Sequence, residues 1–399
     1  MKAVGIVAEY NPFHLGHAWH IAETRRQLGE DVPAVCVMSG DWVQRGECAL
    51  TDKWTRAKLA LRGGADLVLE LPVSWSVSSA EGFARGALAL LEAAGVVDIL
   101  SFGSECGDAD LLERAAAGLD SPGCQAKLRR LMGEGLPFPA ARQAALQSCW
   151  GPGAEVLSSP NNNLGVEYIR ALNALRSGIR PMTVPRKGEG HDGAPGEEMG
   201  GPILSASTIR SRVRQGRWEE AAGALPAGAA EILRRAGIAD MRRVERAVLA
   251  RLRRMDAEDF AALPDSGAGE GLPARLVRAA GQAASLEEFY SLAKSKRYTH
   301  ARIRRLAVWA FLGISGADRP DAPRYLRVLG MNSRGMALLR EMKKTAALPV
   351  LTKPAHVKEL GEEARRQFAL SCRATDLYGL CFDRIKPGGL DYTTGPVIV

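Results

Sequence analysis

Five short apolar runs, each closed by turn residues and separated by stretches of helical spacing, set the frame of this chain. They are Ala3 to Val7 with Ala8 behind it, Pro33 to Met38, Asp66 to Leu71 stopped by Pro72, Ile99 to Phe102, and Pro181 to Pro185. Runs of this length and boundary predict buried strands. Between them, Lys53 to Arg62 has helical spacing closed by Gly63-Gly64, and Ser79 to Ala94 ends at Gly95. Residues 109–150 read as two amphipathic helices, and Ser158 to Asn163 turns into a helix through Val166 to Arg170. Leu204 to Arg210 opens another helix that Ser205 or Ser207 can cap. Beyond about Gly216 the spacing predicts helix throughout, with Pro/Gly-rich breaks near 262–273 and 317–323. Strands alternating with helices predict an α/β fold with a parallel sheet and right-handed crossovers. In such sheets ligands sit beyond the carboxyl ends of the strands, so His14, Ser39, Gly103 and Ser104 are expected around one crevice.

With 399 residues the chain is long for one core, and two domains are expected, 1–215 and 216–399. Charge sharpens this division. Met241 to Val399 holds 28 Lys and Arg against 17 Asp and Glu, whereas residues 1–240 hold 25 against 28. A near-neutral half joined to a strongly basic helical half suggests catalysis beside polyanion binding, although arginine-rich helices can also be plainly solvated. Seven cysteines without a CxxC pair suit reduced thiols rather than disulfides or a zinc site. No apolar run is long enough to span a bilayer, and no basic segment leads into an apolar one at the start. A cytoplasmic location is therefore expected.

The densest candidate chemistry follows the first strand, in Asn11-Pro12-Phe13-His14-Leu15-Gly16-His17. His14 and His17 share one face of a first helical turn. Two imidazoles beside free N–H groups and the positive end of a helix dipole form an anion site. They could equally be solvated or satisfied in a core, but the strand, the Asn-Pro turn and the glycine favour phosphate work. Downstream, Ser207, Thr208 and Arg210 put hydroxyls and a guanidinium at a helix start, groups suited to β- and γ-phosphates. Gly188 to Pro202, rich in Gly and Glu, reads as either a lid or a plain surface loop.

The HxGH spacing resembles that of nucleotidyltransferases and class I aminoacyl-tRNA synthetases, and longer strings narrow the likeness. Val7 to His17, Ser39-Gly-Asp-Trp-Val-Gln-Arg-Gly-Glu47, Asp66 to Pro72, Ser79 to Phe83, Phe102 to Glu105, Ser158 to Asn162, Leu164 to Tyr168 and Ile203 to Arg210 resemble the bacterial tRNA(Met) cytidine acetate ligases. Lys296 to Thr299, Arg302 to Leu306 and Arg327 to Asn332 extend the likeness over nearly the whole chain. Asp41, Cys48 and Pro185 depart from that family's pattern, which carries Asn, Pro and a polar residue there.

The resemblance implies a Rossmann-like parallel sheet of the HxGH nucleotidyltransferase type with a basic all-helical C-terminal domain. It implies activation of acetate by ATP to acetyl-adenylate, then transfer of the acetyl group to the wobble cytidine of elongator tRNA(Met). It places ATP on Val7, Ala8, Glu9, Tyr10, Asn11, Pro12, Phe13, His14, Leu15, Gly16, His17, Ala18, Trp19 and His20, on Gly103, on Asn161 or Asn162, and on Arg186 with Lys187. His14 and His17 would be the catalytic pair. Magnesium is chemically expected, held through phosphate oxygens and water because these motifs offer no carboxylate pair. The basic half would hold tRNA through Lys294, Lys296, Arg297, Arg302, Arg304 and Arg305, with Tyr298 and His300 able to stack on unpaired bases; the alternative is a solvated helix face with Tyr298 packed in the core. Two rival readings remain: a small-molecule adenylyltransferase or citrate-lyase-type acetate ligase, which needs no basic helical half, and a non-enzymatic RNA-binding protein with a vestigial pocket.

Overall fold

The computed structural model describes residues 3–186, 203–267 and 271–399. Its ten strands are β1 Ala3–Ala8, β2 Ala34–Ser39, β3 Trp42–Val43, β4 Glu47–Cys48, β5 Leu67–Leu71, β6 Val97–Ser104, β7 Arg180–Pro185, β8 Leu326–Met331, β9 Val350–Leu351 and β10 Val397–Ile398. The central sheet runs β10-β8-β5-β2-β1-β6-β7, with β9 paired to the start of β8, as β10 is to its end. All five strands read from the sequence are present, mutually parallel from β5 through β7. Their near-continuous apolar character follows from burial on both faces. Val35 and Val37 of β2 enter one core with Leu67, Leu69 and Leu100, while the alternate Cys36 and Met38 enter another with Ile6, Leu59 and Val68.

The C-terminal half is not helical throughout. β8 pairs antiparallel with β5, Leu67 opposite Met331, and β9 and β10 run parallel to β8. Leu326 to Met331 is buried at every position, so this apolar run extends the sheet instead of forming a helix. The sheet therefore draws strands from both sides of the expected boundary at 215/216. Residues 109–150 form three helices rather than two, because Ser121-Pro122 and Pro137 each restart the chain.

The helices between residues 245 and 312 enclose their own core of Val248, Leu252, Phe260, Leu276, Phe289, Ile303 and Trp309. The hairpin β3–β4 joins that core to the sheet. Trp42 is buried there and its indole N–H donates to the Ala374 carbonyl at 2.8 Å. At the hairpin turn Gly46 has φ +73°, and a Cβ there would meet the backbone of Arg304 and Arg305 at 2.4–2.5 Å. Only glycine fits both demands.

A buried charge network ties the C-terminus to the sheet. Lys53 Nζ lies 2.8 Å from Glu70, 2.7 Å from Asp391 and 3.9 Å from Asp41, and donates to Thr375 Oγ1 at 3.1 Å. Arg327 adds 2.6 Å to Asp391 and 3.3 Å to Glu70. Asp41, one of the three positions that depart from the family pattern, accepts from the Lys53 backbone N–H and from Thr375. Burial pushes its pKa up to about 6 against the pull of Lys53 and Arg56. The folded chain thus holds this proton more tightly than the unfolded one. The associated stability is full below the ordinary carboxylate range and is lost as pH rises through about 6. Asp41→Asn is expected to remove that component. In unfolding curves taken from pH 4 to 8, wild-type stability should fall relative to the variant; parallel curves would contradict it.

Candidate active site

The carboxyl ends of the parallel strands open on a cleft of about 630 Å³. At the end of β1, Tyr10 takes φ +45° and turns the chain away from the sheet. Phe13 then anchors the turn, fully buried and packed over Gly63. His14 is the N-cap of the helix Leu15–Leu28. Its Nδ1 accepts from the Gly16 N–H at 3.1 Å, and His17 Nδ1 accepts from the His14 N–H at 3.3 Å. The rings lie 3.8 Å apart. A Cβ on Gly16 would reach His14 Cε1 at 2.9 Å, so the glycine lets the first ring fold over the helix start.

This reciprocal cap fixes the chemistry of the pair. With Nδ1 accepting in both rings, each neutral imidazole carries its proton on Nε2. Burial, reinforced by Arg186 and Arg210, pushes the His14 pKa down to about 3. Burial and the neighbouring His14 hold His17 well below its ordinary value. His20, lowered to about 4 by burial and Arg186, bonds Ser101 Oγ at 2.9 Å. At neutral pH the HxGH element therefore offers uncharged N–H donors, and positive charge comes from the helix end and from Arg45, Arg186 and Arg210, which line the same cleft.

The opposite wall is equally ordered. Glu105 accepts from the Asn161 N–H, the Asn161 side-chain amide (2.6 Å) and the Asn162 N–H (2.8 Å) at the start of the helix Pro160–Leu175. These bonds outweigh its burial and hold its carboxyl below the usual range. Arg186 donates to Asn161 Oδ1 at 3.2 Å and packs over Gly103. Arg210 donates to the Asn11 carbonyl at 2.8 Å and so reaches back to the HxGH turn. Beneath the cleft, fully buried Arg56 donates to the carbonyls of Glu9 (2.7 Å), Ser39 (3.0 Å), Thr51 (3.0 Å) and Gly40, bracing the ends of β1 and β2. Glu9 accepts from the Gln44 N–H at 2.8 Å, and burial raises its pKa.

Of the residues expected around ATP, Val7, Ala8, Glu9, Tyr10, Asn11, His14, Gly16, His17, Trp19, His20, Gly103, Asn161, Arg186 and Arg210 line this cleft. Pro12, Phe13, Leu15 and Ala18 do not; Phe13 and Leu15 are buried beneath it and Ala18 packs against the core. Asn162 is buried and accepts from the Glu105 and Cys106 N–H groups, so it shapes the loop while Asn163 faces the cleft. Ser205, not Ser207, caps the helix Ala206–Arg214, with Ser207 and Thr208 hydroxyls bonded to it. Ser205 lines the cleft, Ser207 lines a neighbouring one, and Thr208 lines neither. Lys187 and the 188–202 segment lie outside the described residues. Sequence reasoning assigned no role to Gln44, Arg45, Glu105 or Tyr168, which also line the cleft; each sits in a string singled out for the family resemblance.

The basic cluster divides in two. Lys294, Lys296 and Arg297 are exposed on the connection between the helices Leu286–Ala293 and His300–Leu312. Tyr298 is instead buried in the helical core with the Arg302 guanidinium over its ring, so that ring is not open to a stacking base. His300 Nδ1 is buried as well. Arg304 bridges Glu47 (2.8 Å) and Glu287 (3.3 Å), and burial lowers the Arg305 pKa.

A parallel α/β sheet with a helix-capping histidine pair at its carboxyl edge defines a nucleotide-binding protein. The HIGH Nucleotidyl Transferase family matches residues 1–390. The chain is 35% identical to a tRNA(Met) cytidine acetate ligase of Acetivibrio thermocellus, covering 100% of both, and 36% identical to one of Caldanaerobacter subterraneus, covering 98% of both. It also matches the crystal structure of Thermotoga maritima TmcAL bound with alpha-thio ATP, at 33% identity and TM-score 0.91 over 100% of both chains. The apo form of that protein gives TM-score 0.92 at 34% identity over the same span. The chain belongs to the tRNA(Met) cytidine acetate ligase family of HIGH nucleotidyltransferases.

Proposed function

We propose that this protein activates acetate with ATP and transfers the acetyl group to the wobble cytidine of elongator tRNA(Met), yielding N4-acetylcytidine. The observation that carries the reading is the reciprocal histidine cap, which leaves each neutral ring its proton on Nε2 at a helix N-terminus lining a cleft edged by Arg45, Arg186 and Arg210. An acetate oxygen attacks the α-phosphorus, a P–O bond forms, and the bond to pyrophosphate breaks. The cytidine N4 then attacks the acetyl carbonyl carbon, the bond to the phosphate oxygen breaks, AMP leaves with the electron pair, and the amine loses a proton. Neither step needs a covalent nucleophile; preorganised donors hold the phosphates in line and offset their developing charge.

Among the described residues no cluster of three His, Cys, Asp or Glu side chains is arranged to hold a metal ion. Glu105 is already engaged by three amide donors. Magnesium would accordingly enter on phosphate oxygens and water, supplying charge neutralisation on the triphosphate. Among the described residues no helix is long and apolar enough to cross a membrane.

Incubation with ATP, radiolabelled acetate and total tRNA, followed by digestion to nucleosides, tests the reading. Label in N4-acetylcytidine, dependent on both ATP and acetate, is expected. Acetyl-adenylate without an acetylated nucleoside would move the protein to the citrate-lyase type of acetate ligase. RNA binding without ATP consumption would favour the non-enzymatic reading.

The exposed ledge of Lys294, Lys296 and Arg297 is the proposed backbone contact, with Arg302 beside it and Arg304 and Arg305 supporting it from within. Changing the three ledge residues to Glu is expected to flatten the dependence of log affinity on log salt by about one unit per residue. Acetyl-adenylate formation should stand unchanged. An unaltered salt slope would place the tRNA elsewhere on the surface.

A further inference from the structure

A second cleft, of about 430 Å³, opens on the far side of Arg210, which lines both cavities. Its walls come from the sheet side and the helical core together. Glu47 of β4 and Ser211 and Arg214 of the 206–214 helix line it together with Tyr290 and Arg304. Its volume falls in the range of small-ligand pockets.

The electrostatics of this cleft differ from those of the ATP cleft. Four arginines, Arg210, Arg214, Arg242 and Arg304, are matched by four carboxylates, Glu47, Asp240, Glu245 and Glu287. Such a balance does not suit a polyphosphate. It suits an uncharged heterocycle whose edge alternates donors and acceptors. The Arg304 guanidinium lies 5.3 Å from the Tyr290 ring centroid and is fixed by Glu47 and Glu287, giving a planar surface of the kind on which unpaired bases stack. The Nε atoms of Arg214 and Arg304 are buried with no hydrogen-bond partner among the described residues. Buried donors of that kind are costly unless something accepts from them.

We infer that this second cleft receives the cytosine base that is to be acetylated, an assignment that rests on the function proposed above. Cytosine presents an amine donor beside ring acceptors, matching carboxylates and guanidinium groups respectively. Arg210 separates the base from the nucleotide, and because it also bonds the Asn11 carbonyl, the amine would need to pass only this side chain to reach an acyl group on the HxGH turn. The ledge at 294–297 is the connection between the two helices that supply Tyr290 and Arg304, so RNA held there sits on the same helix pair that walls the cleft.

Ser211 is exposed on the wall, and Ser211→Trp fills the cleft without touching the ATP site. The assay uses ATP, acetate and an RNA hairpin bearing an unpaired cytidine at the wobble position. Acetate-dependent exchange of pyrophosphate into ATP should be retained, while acetylation of the hairpin falls by about 10²-fold, since displaced reactants lose that much. Equal acetylation by Ser211→Trp would overturn the cleft assignment and leave the proposed function standing; loss of exchange in the same variant would overturn it too. Failure of the wild-type protein to acetylate any tRNA cytidine would instead remove the function on which it rests. A measurement on the unaltered chain stands beside these. A hairpin with 5-iodocytidine at the wobble position, which keeps the cytosine edge, should crosslink on irradiation to peptides containing Met241 or Tyr290, and crosslinks confined to other segments would overturn the inference.

Discussion

His14→Ala and His17→Ala are each expected to lower acetate-dependent ATP turnover by about 10²–10³-fold, the usual cost of one preorganised donor to developing charge. Tyrosine fluorescence or filter binding with tRNA should report nearly unchanged RNA affinity, because the rings lie in the sheet-edge cleft and the exposed cations lie on the helical core. The two variants differ in what else they lose. His14 is the cap acceptor for Gly16, so its alanine variant also frees a helix-start N–H; capping losses are worth about 0.5–2 kcal/mol. His14→Asn restores a capping oxygen and separates the roles. It should recover stability and leave the rate low. The pH behaviour follows from the same geometry. The unfolded chain binds protons near the ordinary histidine pKa, whereas His14 and His20 in the folded chain hold theirs off until about 3 and about 4. Stability should therefore fall as pH drops below the ordinary histidine range, and the histidine pair should contribute no activity step between pH 6 and 8. Full activity in both alanine variants would make the HxGH turn a structural cap alone.

Much of the sheet and the reactive edge could be read from the chain itself. Parallel strands buried on both faces leave unbroken apolar runs, and a strand-turn-helix with paired histidines leaves a local signature; both need only neighbouring residues to be recognised. What escaped depends on partners far along the chain. Leu326 to Met331 is a short apolar run that could sit in a helix or a strand, and only its pairing with β5 decides. Arg304 reads as one more basic residue, yet Glu47, distant in sequence, turns it inward. Tyr298 reads either as a stacking platform beside lysines or as a core ring, and only the packed helices decide for the core. Arg56, in a segment read only as a helix, proves to brace the strand ends through four carbonyls, because side-chain reach into a crevice leaves no periodic trace.

Lys53→Met should destabilise the protein by about 3–5 kcal/mol, as removing one partner leaves buried carboxylates uncompensated. Burial alone would lower the Lys53 pKa, but Asp391 and Glu70 outweigh it and hold the ammonium above its ordinary value, so the group is charged throughout the working range. Without it, Glu70 and Asp391 keep only Arg327, and Thr375 and Asp41 lose their shared cation. The Glu70 and Asp391 oxygens facing this gap are shielded from water, which is why methionine, although close in shape, cannot substitute for the ammonium. Asp391 stands shortly before β10, which pairs with β8 at the sheet edge, so the loss should loosen the C-terminal strand before the rest. Urea unfolding would report a lower midpoint, and hydrogen exchange would report early deprotection at Val397 and Ile398. The double variant Lys53→Met with Asp391→Asn removes one charge of each sign and should recover part of the loss. A midpoint equal to wild type in Lys53→Met would mean that Arg327 suffices to balance the cluster.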